Sequence, residues 1–384
     1  WADEQGAEFV EVGNWMRAQW FPKAGDKTWR DSVDREVTKT RQSVGVCDVS
    51  TLGKIDIKGK DAAEFLNKIY SNPFAKVPVG RVRYGLMLRE DGICYDDGTT
   101  ARLAENHFVM TTTTANAVLV YRNMEFARQC LFPDLDVHII STTDQWAQFA
   151  VAGPNSRAVL SKIIDNVDMS NDGFPFMACL DVTVCGGTPG RLFRISFSGE
   201  LAYEVAVPAR YGDALIREII SAGEEFNITP YGTEALGVMR IEKGHVTGAE
   251  LNGQMTAFNI NMNNMISTKK DSIGSVLSRR EVMVADDQVR LVGVKTIKKS
   301  DSLSSGAHFL AENDKPTTQN DQGWITSVCY SPHFEQHIGL GFLERGHERH
   351  GEVLRAWDGI RGTDVLVEIV SSHMYDPEGG LQRG

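Results

Sequence analysis

Two adjacent carboxylates, Asp96 and Asp97, stand between an apolar run and a glycine in "REDGICYDDGTTARL", residues 89–103. Side chains alternate along a strand, so a regular strand cannot turn both acids toward one site. One then points inward and the other caps or solvates a turn. Taken alone, the pair reads more readily as two solvated turn acids. A third acid, Glu204 in "ISFSGELAYEVAVP", is flanked by apolar residues. That placement means either a wet strand face or a deliberately buried anion. Arg240 in "VMRIEKG" has apolar neighbours on both sides of a helix, where pairing with an acid is the plain reading.

Other chemistry is argued down by spacing. His333 and His337 are four apart, but Phe334 stands where a zinc-binding His-Glu-x-x-His helix needs Glu. His347 and His350 are three apart. Both pairs fall in expected loops of a β region and read as solvated, so no metal is expected. "CGGTPGR", from Cys185 to Arg191, does not fit G-x-G-x-x-G and no helix follows it, so it is a turn rather than a dinucleotide loop. No P-loop and no G-x-S-x-G occur. Nothing in the chain looks built to hold NAD or FAD, so no redox centre is expected.

Composition narrows the class. The 384 residues are 42% hydrophobic and 24% charged, enough for two or three globular domains. The net charge of −11 lacks the basic patch that nucleic acid needs. No run of 18 apolar residues suggests a membrane-spanning helix. The six scattered cysteines form no Cys-x-x-Cys and imply reduced, mostly packed thiols in a cytoplasmic protein. The chain begins with Trp1, which favours a piece of a longer polypeptide.

Pattern places the elements. "DSVDREVTKTRQSVG" predicts a helix with Val33 and Val37 inward, stopped by Gly45. "KIDIKG" predicts a strand, and Asp61 with Glu64 a capping box over Ala62, Phe65, Leu66 and Ile69. Residues 81–114 predict a strand meander turning at Asp91-Gly92. Helices are expected at 115–131, 156–165, 211–224 and 232–243, the last ended by Gly244. Residues 190–208 read as strand, 250–290 as an irregular Asn-rich connector, and everything after Val289 as a small β barrel or sandwich. The class is α+β with an all-β C-terminal domain.

"GVCDVSTLGKIDIKGKDAAEFLNKIYSN", "RYGLMLREDGICYDDG", "VAGPNSRAVL", "FPFM", "RISFSGELAYEVAVP" and "YGTEALGVMRIEKGH" occur in this order. The series resembles the aminomethyltransferase (glycine cleavage T-protein) superfamily over about Val44 to the C-terminus. Within it, "STLGKID", "FRISFSGEL", "TPYGTE" and the closing "YDPEG" are most similar to the C-terminal region of heterotetrameric sarcosine oxidase alpha subunits. The resemblance implies a three-domain cloverleaf around a central channel for tetrahydrofolate. Residues 1–51 with 143–265 would form the first domain, 52–142 the second, and 266–384 the connector and barrel. It also implies that Asp97 is the catalytic aspartate and Asp96 faces away to finish the turn. Glu204 would grip the pterin and Arg240 lie near the folate, with Tyr84, Thr111, Thr113 and Phe197 lining the channel.

The resemblance further implies one-carbon transfer from an oxidised N-methylamine such as sarcosine, giving 5,10-methylenetetrahydrofolate. The partner would be a flavoprotein subunit or domain of a sarcosine oxidase-type complex, with no nucleic acid and no membrane. Competing readings are a glycine cleavage aminomethyltransferase, a folate-dependent demethylase of another methyl donor, and a folate-binding module without activity. The chain departs from the family pattern where related sequences carry Gly-x-Asp and Thr-Pro. Asn252 and Thr256-Ala257 stand there instead.

Overall fold

The computed structural model describes residues 1–384. It starts with a hairpin of β1 (Glu8–Val12) and β2 (Trp15–Trp20), not expected from the sequence pattern, turning at Gly13 with φ 61°. Helix α1 (Trp29–Gln42) follows, with Thr28 and Asp31 in a capping box and Val33 and Val37 fully buried. Gly45 does not stop this helix. It opens β3 (Gly45–Asp48), where a Cβ would meet Thr40 Oγ1 at 2.2 Å and the Tyr231 ring at 2.7 Å.

Next come β4 (Gly53–Lys58), α2 (Ala62–Ile69) and the expected meander of β5 (Arg81–Leu88), β6 (Cys94–Ala104) and β7 (His107–Thr112). Asp61 makes no cap to α2; its carboxylate accepts from the Asp136 amide at 2.8 Å. Helix α3 (Ala117–Phe126), β8 (His138–Ser141) and β9 (Trp146–Ala152) follow. The helix expected at 156–165 shortens to α4 (Ser156–Leu160), with β10 (Ile164–Asp165) after it. Then come β11 (Cys179–Val184), β12 (Thr188–Phe193), β13 (Ala202–Pro208), α5 (Gly212–Gly223), β14 (Thr229–Pro230) and α6 (Thr233–Lys243). The 190–208 run is thus two strands, β12 and β13, separated by a loop.

Beyond the connector lie β15 (Val289–Thr296), β16 (His308–Leu310), β17 (Gly323–Ser331), β18 (Gln336–Glu344), β19 (Val353–Asp358), β20 (Thr363–Val370) and the short α7 (Gly380–Arg383). These six strands close into a barrel in the order β15-β18-β17-β16-β19-β20. His337 is not a loop residue: it sits on β18 with Nδ1 3.0 Å from the Asp301 carbonyl oxygen.

Two larger sheets make the rest. One has seven strands in the order β10-β11-β12-β13-β9-β3-β14, the other five in the order β5-β6-β7-β4-β8. Each packs one face on its own helices around its own core. The remaining faces are turned toward each other. Val82 and Ala101 of the five-stranded sheet pack with Cys179 and Phe193 of the seven-stranded one. Buried Asp56 of β4 accepts from both Arg191 amino groups, at 3.1 and 2.9 Å, and lies 2.9 Å from His107 Nε2. The Arg191 guanidinium also stacks 4.0 Å from the Trp146 ring centroid.

The C-terminal segment ties the parts together. Arg41 of α1 pairs with Glu200 and Glu242 and stacks 3.7 Å from the Tyr375 ring centroid. Tyr375 donates its hydroxyl to Glu200 at 2.6 Å, and Ser331 of the barrel donates to Glu242. Lys243 pairs with Asp376 at 3.2 Å.

Removing Asp56 would leave the buried Arg191 charge with only the exposed Asp181, 3.9 Å away. Burial works against the ionised Asp56, but hydrogen bonds from His107, Arg191 and Thr142 outweigh it and hold the carboxyl well below the usual range. Asp56→Ala is expected to destabilise the chain by about 3–5 kcal/mol at pH 7. Urea unfolding checks this, and a loss below about 1 kcal/mol would show that the pair is not what joins the sheets.

Candidate functional site

Register determines which side chains meet. Lys54 stands opposite Thr111 in the β4–β7 pairing. Tyr84 stands opposite Thr99, and Leu86 opposite Asp97, in the β5–β6 pairing. The hydroxyls of Thr99 and Thr111 are 3.0 Å apart. Cross-strand partners share a face, as do residues two apart along a strand. Lys54, Thr111, Thr99, Tyr84 and Asp97 therefore line the face turned toward the seven-stranded sheet. Ile55, Met110 and Met87 take the opposite face, under α2 and α3.

The acids are not at a strand end. β6 runs through both and continues to Ala104. A bulge opposite Met87 and Leu88 leaves Tyr95 unpaired, so alternation restarts at Asp96 and re-aims both carboxylates. Gly98 allows β7 to approach beside them, since a Cβ there would lie 2.1 Å from the Thr111 carbonyl oxygen. Asp97 accepts from the Tyr84 hydroxyl at 2.7 Å and keeps some solvent exposure. Burial pushes its acid up to about 6, with the Tyr84 hydrogen bond opposing.

Asp96 points away, as expected, but does not finish a solvated turn. It is 3% exposed and accepts from the Thr113 amide at 3.3 Å and Asn116 Nδ2 at 3.1 Å. It thereby fixes the turn that enters α3. Burial, and then the neighbouring Asp97 charge, push it up to about 7.

The facing wall carries Glu204. On β13 it stands opposite Phe193 and Ala150. Its sequence neighbours Tyr203 and Val205 point into the core of their own sheet. Phe193 packs against the five-stranded sheet, so Glu204 faces that sheet too. The carboxylate is 8% exposed and takes a hydrogen bond on Oε2 from Gln148 Nε2. Burial raises its acid, against which act the Gln148 hydrogen bond and then the Lys54 and Arg17 charges. Of the two alternatives open from sequence, the buried anion is the one present.

Arg240 does not present a free guanidinium. It donates to Glu250 Oε2 at 2.9 Å, Ser327 Oγ at 2.7 Å and the His245 carbonyl at 3.3 Å. Its charge is neutralised inside the contact between α6 and β17, and the geometry gives no role toward a ligand. Thr113 contributes its amide to Asp96. Phe197 lies in the loop between β12 and β13, 38% exposed, with its ring 5.5 Å from that of His245. Burial lowers His245 to about 4.

The structure adds residues that the sequence reading passed over. Gln148 holds Glu204, and buried Lys54 shares the face of Asp97. Met262 brings its sulfur within 3.9 Å of the Tyr84 hydroxyl. Met262 belongs to the Asn-rich connector, which is hydrogen-bonded to β6 and β15. Thr256 bridges Ile93, the Cys94 amide donates to the Met255 carbonyl at 2.9 Å, and Asn259 and Asn261 donate to carbonyls of β15. The departing residues Asn252 and Thr256 serve local turns, accepting from Gln254 and donating to Asn259. Alternation could have marked Lys54 as sharing the Asp56 face. Nothing local in the sequence marks Met262.

Residues 1–270 match the family model of the GCVT N-terminal domain, and residues 290–376 that of the glycine cleavage T-protein C-terminal barrel domain. The chain is 50% identical over 380 residues to sarcosine oxidase subunit alpha of Rhizobium meliloti (strain 1021), covering 98% of this chain and 38% of that protein. The corresponding subunit of Corynebacterium sp. (strain P-1) is 43% identical over 387 residues, with 100% and 40% covered. The chain thus spans about two fifths of these curated relatives. The aminomethyltransferase of Anoxybacillus flavithermus (strain DSM 21510 / WK1) is 27% identical, with 97% of this chain and 96% of its own length covered. The crystal structure of glycine cleavage system aminomethyltransferase T from Bartonella henselae shares the fold, with a TM-score of 0.83 at 20% identity over 98% of this chain and 96% of that one.

Asp96 and Asp97 are adjacent acids, and the charge of Asp97 acts on Asp96. Tyr84→Phe removes the donor that favours ionised Asp97, so the Asp97 acid is expected to rise further above its present value of about 6. Carbon-13 NMR of aspartate-labelled protein measures it; an unchanged or lowered value would remove Tyr84 from the site's electrostatics.

Proposed function

The chain belongs to the glycine cleavage T-protein family, and on that premise we propose that it passes a one-carbon unit to tetrahydrofolate. The unit is the methylene group of an iminium formed by oxidation of an N-methylamine such as sarcosine, and the product is 5,10-methylenetetrahydrofolate. The oxidation belongs to a flavoprotein subunit or domain of a sarcosine oxidase-type complex. The observation that carries the reading is that buried Glu204 and partly buried Asp97 lie on the opposed faces of two sheets.

The donor set fits the ligand. A pterin edge offers two parallel N–H donors, and a carboxylate has two matching acceptors. Glu204 uses Oε2 for Gln148, and no protein group donates to its Oε1. When bound, tetrahydrofolate supplies the two amine nitrogens between which the methylene group ends. Asp97, anchored by Tyr84, places a negative charge where an iminium cation arrives and can hold a proton released there. With its acid near 6, it is mostly ionised at neutral pH yet basic enough to accept that proton. Arg240 is left out of this account because Glu250 and Ser327 occupy it.

A second reading is aminomethyl transfer of the glycine cleavage type. It is favoured by relatives such as the Anoxybacillus aminomethyltransferase, 96% of whose length this chain covers. The higher identity to sarcosine oxidase alpha subunits favours the first reading.

Calorimetric titration of folinate into wild type, Glu204→Ala and Asp97→Ala tests the assignment. Glu204→Ala is expected to weaken binding at least ~100-fold, or ~3 kcal/mol, as for loss of a charge-assisted hydrogen-bonding pair. Asp97→Ala should stay within a few-fold of wild type while losing methylene transfer. Absence of wild-type binding at millimolar folinate would reduce the family likeness to one of fold.

A further inference from the structure

Lys54 is 2% exposed, and its ammonium forms no ion pair. It donates to two backbone carbonyls, Ser50 at 2.6 Å and Leu52 at 2.9 Å. An ammonium has three N–H donors, so one is left over. Glu204 is its counterpart: a buried carboxylate with Gln148 as its one donor and no ion pair. Buried charges left this way are expensive unless something else meets them.

Hydrogen bonds place the two in one site. Lys54 binds the Ser50 carbonyl, the Ser50 hydroxyl accepts from the Gln148 amide at 2.9 Å, and the Gln148 side chain donates to Glu204. Lys54 also lies across from Thr111 on the face that carries Asp97. Burial pushes the ammonium down to about 8, and Glu204 is the first of the negative charges that oppose this.

We propose that Lys54 and Glu204 act as one recognition pair for the ring edge: Glu204 accepts from the adjacent N–H donors, and Lys54 gives its remaining N–H to the ring carbonyl beside them. The proposal rests on the folate reading above and makes Lys54 a specificity-determining residue. A ring with an amino group in place of that carbonyl would meet the ammonium donor to donor. A carbonyl-bearing ring completes the lysine's hydrogen bonds.

The test compares tetrahydrofolate with its 4-amino counterpart, tetrahydroaminopterin, by anaerobic calorimetry on wild type and Lys54→Met. The variant is expected to lose at least ~10-fold in affinity for tetrahydrofolate and less than ~3-fold for the 4-amino ring. Lys54→Gln, which keeps an amide donor for the Ser50 and Leu52 carbonyls, should narrow the same preference and serves if the Met variant fails to fold. Equal losses on both ligands, or none on either, would overturn the pairing and leave Lys54 as a staple of the 50–52 turn. Failure of the wild type to bind tetrahydrofolate at all would instead remove the folate reading, and the pairing with it.

Discussion

The buried contact between Asp56 and Arg191 decides what the two sheets can enclose. Sheets normally pack through apolar faces about 10 Å apart. These two share only a small apolar patch around Val82, Ala101, Cys179 and Phe193. The rest of the opposed surfaces carries Lys54, Asp56, Thr111, Thr99, Asp97, Arg191 and Glu204. A charged pair with several hydrogen bonds joins such walls where hydrophobic collapse would have closed them. Asp56 and Lys54 are two residues apart on β4 and so share a face. The strand that joins the walls therefore also furnishes the interior.

That interior is electrostatically unrelaxed. Asp97 and Glu204 both have acids raised by burial, and Lys54 is lowered by it. A protein selected for stability alone would pair or expose such groups. Here the seven-stranded sheet contributes one unpaired carboxylate, and the five-stranded sheet contributes an acid and a lysine. Perturbed groups of this kind cluster where chemistry is done. The Arg240–Glu250 pair is the contrast. It is equally buried, but with Ser327 and Thr326 completing its hydrogen bonds it joins α6 to the barrel.

Local signals in the sequence were enough for the meander, for α6 with Gly244 at its end, and for the barrel, because each rests on periodicity and turn chemistry. The N-terminal hairpin was legible too, in the Gly13-Asn14 turn, but the charged residues around it obscured the alternation. Gly45 and Asp61 were misjudged because close packing and a distant backbone partner overrode local capping rules. The split of Asp96 from Asp97 followed from strand alternation. That Asp96 would be buried did not, since its partners Thr113 and Asn116 lie beyond β7. Arg240 carried a ligand role by likeness alone. Its side-chain partners, Glu250 and, in the barrel, Ser327, are set by tertiary structure.

The stacking of Tyr375 on Arg41 carries a consequence for the order of assembly. Arg41 belongs to the first helix of the chain, and the groups that neutralise and cover it come from Glu200, Glu242 and the segment after the barrel. During synthesis the first helix is made long before those partners leave the ribosome. Arg41 must then wait for Glu200 and Glu242 to neutralise it, and for the segment behind the barrel to cover it with the Tyr375 ring. Domains usually fold in the order in which they are made. Helix α1 is thus made well before the last of its final surroundings.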